Sequence, residues 1–129
     1  MNQRNPMDQD MARCIEACQH CHNTCLQTAM SLCLETGGEH LEPEHFRLMM
    51  NCAEICQTAA NFMLSASAVH ERLCQIGAEV CDACADSCDE IGGMDDCVKA
   101  CRDCAESCRQ MATSGHNMEA NASRSVGML

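Results

Sequence analysis

The chain has 129 residues, enough for one domain with a modest core, and it carries 15 Cys and 11 Met but no Trp, no Tyr and only Phe46 and Phe62. Its formal net charge of −11 leaves no basic face to track phosphates and argues against nucleic acid as a partner. No apolar run approaches the ~20 residues of a membrane span, and the start "MNQRNPMDQDMARC" lacks the charged-then-apolar pattern of a secretion signal, so a reducing, cytoplasmic setting is expected.

Punctuation along the chain predicts four helices. The first opens at "NPMD", with Asn5 placed to cap and Pro6 at the first helical position, and runs over 6–36 to a stop at Gly37-Gly38. The second opens at "EPEH", with Pro43 in its first turn and acids at the positive helix end, and covers 43–65. Ser65 or Ser67 is placed to cap the third, over 68–91, which stops at Gly92-Gly93. The fourth starts at "MDDC", covers 94–113 and ends at Ser114-Gly115; residues 114–129 show no sustained period and are expected to form a flexible tail. No segment has the alternation of a strand. Loops this short force neighbouring helices to run antiparallel, so the predicted fold class is all-α: an antiparallel up-down-up-down four-helix bundle within residues 1–113.

Spacings of four and three mark the inward seam of such a bundle. On the first helix the seam reads Met7, Met11, Cys14, Cys18, Cys21 and Cys25, with Cys33 two turns on. The second supplies His45, Met49, Cys52, Cys56, Ala59 and Met63. The third supplies His70, Cys74, Cys81, Cys84 and Cys88, broken at Gly77-Ala78, and the fourth Met94, Cys97, Cys101, Cys104, Cys108 and Met111. Ordinary apolar residues such as Ile15, Leu26, Leu48, Ile55, Leu73, Ile76, Val80 and Val98 sit beside the seam, which makes the predicted core cysteine-lined.

Cysteine content this high usually signals a disulfide scaffold. Here the count is odd, and neighbours at i and i+4 on a helix have Cβ atoms ~5–6 Å apart, whereas a disulfide needs ~3.8 Å. One or two buried cysteines would serve as small hydrophobes. Fifteen are another matter. Burying a Leu-sized side chain is worth ~1.5–3 kcal/mol, and a Cys buries far less; a seam written in Cys forfeits a large share of the ~5–15 kcal/mol that holds a domain together. Packing alone gives no reason for it.

Soft thiolates suit Cu(I), Zn(II) and iron–sulfur clusters. Six C-x3-C pairs occur: Cys14/Cys18, Cys21/Cys25, Cys52/Cys56, Cys84/Cys88, Cys97/Cys101 and Cys104/Cys108. Each puts two sulfurs one turn apart, roughly 4–5 Å, about twice a metal–sulfur bond of ~2.3 Å, so one ion fits between them in near-linear coordination. Cu(I) accepts that geometry, whereas Zn(II) wants four ligands. Charge points the same way: each thiolate must lose its proton to bind, and about one monovalent ion per thiolate leaves the core neutral. Multiple Cu(I) ions are therefore the expected cargo. Iron–sulfur remains an alternative, because "CIEACQHC" matches a C-x3-C-x2-C cluster triad; so do zinc binding and the role of a copper chaperone serving one ion. A thioredoxin-like use of Cys18/Cys21, Cys81/Cys84 or Cys101/Cys104 is weaker, since such motifs act at a helix N-terminus.

The repeated pairs on all four helices, "CIEACQHCHNTC", "CAEIC", "CDACADSC" and "CVKACRDCAESC", resemble the bacterial copper storage proteins over about residues 7 to 112. The resemblance implies non-catalytic storage of many Cu(I) ions by inward thiolates, loading through one bundle end, and a homotetramer of the cytosolic branch; copper donor or acceptor proteins are not specified. Two departures stand out: helix two has only two cysteines, and Gly77-Ala78 removes a thiol from helix three. The expected metal ligands are all fifteen cysteines, with His45, Met49 and Met94 at the favoured loading end. There a His-x3-Met stretch, "HFRLM", opens helix two as in family members with a ligand-lined mouth, beside Cys33, Cys88 and the 37–42 loop. The opposite end gathers Met7, Met11, Met63, His70 and Met111. His20 and His22 read as surface residues, His40 as a loop residue with at most weak ligation, and His116 has no assigned role.

Overall fold

The computed structural model describes residues 6–126, with side-chain surroundings described for residues 9–113. Four helical rods make up the described chain. The first, α1 (residues 6–36), runs as an α-helix over Pro6–Thr28, widens to a π-helix over Ala29–Cys33 and closes with Leu34–Thr36. A 3-10 turn, Gly38–Leu41, leads into α2 (Pro43–Leu64); α3 (His70–Ile91) and α4 (Asp95–Val126) follow. Rods adjacent in the chain pack on each other and α1 also packs on α4, closing an antiparallel ring around one core.

The expected punctuation operates as local chemistry requires. Pro43 is the first residue of α2, and the Glu42 side chain caps it by accepting the His45 backbone N–H at 2.9 Å. Glu44, Glu71, Asp95 and Asp96 stand in the first turns of their helices, where carboxylates meet unpaired N–H groups. Gly37 (φ 69°) and Gly92 (φ 88°) close α1 and α3 in a left-handed conformation that side chains resist. Asn5, the expected cap of α1, lies outside the described residues.

Two boundaries differ from expectation. The third helix starts at His70 instead of 68, because Ser67 spends its groups on a turn before the helix: its hydroxyl accepts the Val69 N–H at 3.2 Å and its carbonyl the His70 N–H at 3.3 Å. The fourth does not stop at Ser114-Gly115 but continues to Val126 through the segment expected to be a flexible tail. One glycine costs a helix only ~1 kcal/mol relative to Ala, and the Met, Glu and Ala residues that follow Gly115 are good helix formers with no proline among them.

The core is sulfur and alanine. All fifteen cysteines are at most 1 % exposed, and Met49, Met63, Met94 and Met111 are buried with Ala29, Ala53, Ala59, Ala60, Ala78, Ala85, Ala100 and Ala105. Ile15, Leu26, Ile55, Leu73, Val80 and Val98 are half-buried against this core, and Ile76 is exposed. The larger aliphatic residues thus seal the grooves between helices and the thiols fill the axis. Ion pairs between exposed residues, Arg109–Asp82 at 2.6 Å and Arg102–Asp86 at 3.0 Å, join α4 to α3 and contribute little individually.

Candidate metal centre

The inward face of each helix delivers its thiols to a shared column. Toward the start of α1, Cys14, Cys18 and Cys108 gather, with Cys108 Sγ 3.8 Å from Cys14 Sγ and 3.6 Å from Cys18 Sγ. Cys104 touches Cys18 at 3.6 Å and Cys56 at 3.7 Å, and Cys56 touches Cys81 at 3.4 Å. Cys52 links Cys81 (3.7 Å) to Cys21 (3.7 Å), Cys25 (3.9 Å) and Cys101 (3.8 Å). Cys25 then reaches Cys97 at 3.3 Å, and Cys97 reaches Cys88 at 3.8 Å. Four groups have every sulfur within 4.8 Å of the others: Cys21/Cys25/Cys52/Cys101, Cys21/Cys56/Cys81/Cys104, Cys25/Cys84/Cys97/Cys101 and Cys14/Cys18/Cys108. Sharing of Cys21, Cys25 and Cys101 joins three of these groups, and Cys104, in contact with Cys18 and Cys108, joins the fourth to make the column continuous.

This differs from a stack of clips, each confined to one helix. The pairs Cys21/Cys25 and Cys104/Cys108 are in place, but at 3.9 Å they are shorter than a linear S–metal–S span of about twice ~2.3 Å. Sulfurs from neighbouring helices lie as near or nearer. The cause is the small core: Ala and Cys let the helices approach until sulfurs of different helices touch. Three sulfurs about 4 Å apart surround an ion with three bonds of ~2.3 Å, so bridging thiolates in threes suit the column better than isolated pairs.

Both ends are capped by neutral soft donors. At one end Cys33 Sγ lies 3.7 Å from Met49 Sδ, 3.8 Å from Met94 Sδ and 3.8 Å from His40 Nδ1. His45 is 2 % exposed; its Nδ1 is hydrogen-bonded to Ser87 Oγ at 2.8 Å, and its buried Nε2 has no partner. Burial, and then the neighbouring His40, lower its basicity, which leaves a neutral ring with a ligand atom to spare. A surface cleft of about 300 Å³ lined by Thr28, Leu32, Gly93, Met94, Asp95, Asp96 and Cys97 opens beside this group. At the other end Cys74 Sγ is 3.8 Å from Met63 Sδ. One turn before it, His70 donates from Nδ1 to the Ser67 carbonyl at 2.8 Å, leaving Nε2 buried and without a hydrogen bond.

The thiols do not ionise alike: a thiol whose neighbours donate S–H bonds to it, such as Cys74, is held down, and one that donates to its neighbours, such as Cys56, is held up. Cys108 and Cys14 hold Cys74 down to about 4. Cys104 opposes ionisation of Cys18, but Cys108, Cys14 and Cys56 outweigh it and hold it at about 6. Cys33 is raised, by burial first and then by Cys97 and Cys84.

Among the expected ligands, then, fourteen cysteines lie along the column or at its Cys74 end, and Cys33 joins Met49 and Met94 beyond it. His40, read as a weak ligand at most, sits against Cys33. His20 is exposed as expected, but His22 is half-buried, its Nδ1–H donating to the Ala53 carbonyl at 2.7 Å and tying α1 to α2. Met11 is half-buried; the side chains of Met7 and His116 lie outside the described residues. "CIEACQHC" is continuous α-helix within Pro6–Thr28 instead of a cluster-binding loop, and Cys18/Cys21, Cys81/Cys84 and Cys101/Cys104 all lie inside helices, away from the N-termini that activate a redox thiol.

Comparison with known proteins agrees with this arrangement. Residues 7–113 match the family described as "Csp: Copper storage protein". The crystal structure of the Nmul_A1745 protein of Nitrosospira multiformis is 58 % identical, with a TM-score of 0.81 over 82 % of this chain and 97 % of that one. The Cu(I)-bound copper storage protein BsCsp3 is 36 % identical, with a TM-score of 0.75 over 81 % and 99 % of the two chains. The cysteine-rich protein YhjQ of Bacillus subtilis (strain 168) is 36 % identical over 74 residues, 57 % of this chain and 68 % of its own length. With its thiols turned inward along a four-helix bundle, the chain belongs to the copper storage protein family.

Proposed function

We propose that this protein is a non-catalytic store that takes up many Cu(I) ions, about one per thiol, on the fifteen cysteines of its bundle core. The carrying observation is the continuous column of buried sulfurs in contact across helices. Each Cu(I) that replaces a thiol proton leaves the core charge unchanged, so the column fills without accumulating buried charge. The family match and the Cu(I)-bound relative support the choice of metal. No described helix is long and apolar enough to cross a membrane, and the free state of all fifteen thiols suits a reducing cytoplasm. Exposed apolar side chains late in α1 and in the loop after it, Met30, Leu32, Leu34 and Leu41, support self-association, and the family resemblance is the ground for a homotetramer.

The end at Cys33 is the proposed loading end. His45, Met49 and Met94 bring neutral donors, the cleft reaches Met94 and Cys97, and exposed Asp95 and Asp96 beside it attract cations. The test is anaerobic titration of the reduced protein with Cu(I) against a competing chelator. A plateau near one ion per thiol is expected, and a plateau at one or two ions overturns storage. In the same assay, His45→Ala combined with Met49→Leu and Met94→Leu slows uptake without lowering the plateau. Unchanged uptake would move the loading end to Cys74 and His70.

A further inference from the structure

One group of sulfurs has a regularity that copper storage does not require. Cys21 and Cys25 come from α1, Cys52 from α2 and Cys101 from α4. Their six mutual Sγ separations are 3.9 Å (Cys21–Cys25), 3.7 Å (Cys21–Cys52), 3.8 Å (Cys21–Cys101), 3.9 Å (Cys25–Cys52), 3.5 Å (Cys25–Cys101) and 3.8 Å (Cys52–Cys101). Four points with all six edges equal form a regular tetrahedron. With edges of about 3.8 Å its centre lies about 2.3 Å from every corner, the length of a Zn–S bond. Sulfurs in mutual van der Waals contact thus already stand at the corners that a four-coordinate metal needs.

From this we infer that, in the copper-free protein, Cys21, Cys25, Cys52 and Cys101 form a preorganised tetrathiolate site for one divalent thiophilic ion, Zn(II) or its analogue Co(II), which Cu(I) displaces when the store is filled. Zn(II) has no directional preference of its own and accepts the tetrahedron it is offered. The ligands need little rearrangement, which removes much of the ordering cost of a four-ligand site. Binding exchanges the four thiol protons for one dication, so protons are released to solvent and the site carries two net negative charges. One further thiol is placed to donate an S–H bond to it: Cys97 lies 3.3 Å from Cys25. That residual charge, absent from a Cu(I)-filled core, makes the divalent ion the weaker occupant and explains its displacement. Loss of shared ligands to the first ion also limits the centre to one: Cys21, Cys25 and Cys101 belong to the adjoining groups as well.

The reduced full-length protein is titrated anaerobically with Co(II) and separately with Zn(II). The first equivalent of Co(II) is expected to give the intense visible bands and thiolate charge-transfer absorption of a tetrahedral four-sulfur site, with release of four protons, and one equivalent of Zn(II) bleaches it. X-ray absorption of the Zn(II) form shows four sulfurs at about 2.3 Å. Cys52→Ala and Cys101→Ala abolish the four-sulfur spectrum, whereas Cys74→Ala, at the far end, retains it; circular dichroism of each variant reports its fold. A featureless first equivalent, mixed oxygen or nitrogen ligation, or a four-sulfur spectrum that survives both core substitutions overturns the assignment. Addition of Cu(I) releases the divalent ion, and retention of Zn(II) against excess Cu(I) would overturn the displacement. Cu(I) capacity is read in a separate titration, so either reading can fail while the other stands.

Discussion

Gly77 stands where the run of thiols on α3 skips a position, between Cys74 and Cys81. As a missing ligand it is a loss, and a buried mid-helix glycine also costs about 1 kcal/mol against Ala. The structure shows what it faces: a Cβ at this position would meet Cys108 Sγ at 3.6 Å, a sulfur that α4 extends toward Cys14 and Cys18. That distance is ordinary van der Waals contact. Gly77→Ala is therefore expected to stabilise the metal-free protein by about 1 kcal/mol, raising Tm by a few degrees; a lower Tm in calorimetry would show that α3 and α4 have no slack there. Sequence alone exposed the gap but not its neighbour, because which sulfur faces Gly77 is a tertiary fact. The same holds for His22, whose position beside the seam gives no hint that its ring ties α1 to the Ala53 carbonyl.

The helices themselves were legible because proline and glycine bound them: Pro43, Gly37 and Gly92 do what their backbone restrictions dictate. What periodicity missed is the π-helical stretch Ala29–Cys33. Cys33 follows Cys25 by eight positions, and at 3.6 residues per turn eight steps carry it about 80° off the inward face, whereas seven leave it about 20° short of two turns. A wider turn absorbs the extra residue and returns Cys33 to the core, where it is fully buried. Ser31 lies inside the wide turn, exposed, its hydroxyl donating to the Gln27 carbonyl at 2.6 Å. Deleting Ser31 should therefore convert the stretch to regular α-helix while keeping Cys33 inward. The expected outcome is an unchanged Cu(I) plateau and a Tm equal to or above that of the parent. A loss of one or more ions would mean that the π turn positions Cys33 in a way the simple register argument does not capture.

At the scale of the whole molecule, the sequence revealed a bundle with a sulfur seam, and the local periods placed the buried cysteines other than Cys33 on it. The grouping of those sulfurs was hidden, since it depends on how closely four helices approach, and that follows from the small Ala and Cys side chains taken together. The same smallness has an energetic consequence. A core of thiols and alanines buries less apolar area than one of Leu and Ile, so the metal-free bundle has less hydrophobic stabilisation to set against chain entropy. Metal ions that bridge thiolates of different helices bind the folded chain far better than the unfolded one, and each occupied site adds RT ln(1 + [L]/Kd) to stability. Tm is therefore expected to climb stepwise as Cu(I) is added. The rise should reverse when a strong chelator strips the metal under reducing conditions. Calorimetry at increasing copper-to-protein ratios checks both directions. If Tm stayed flat while Cu(I) bound, the ions would be sitting on the surface and not across the helices, and the sulfur column would lose its claim as the place of storage.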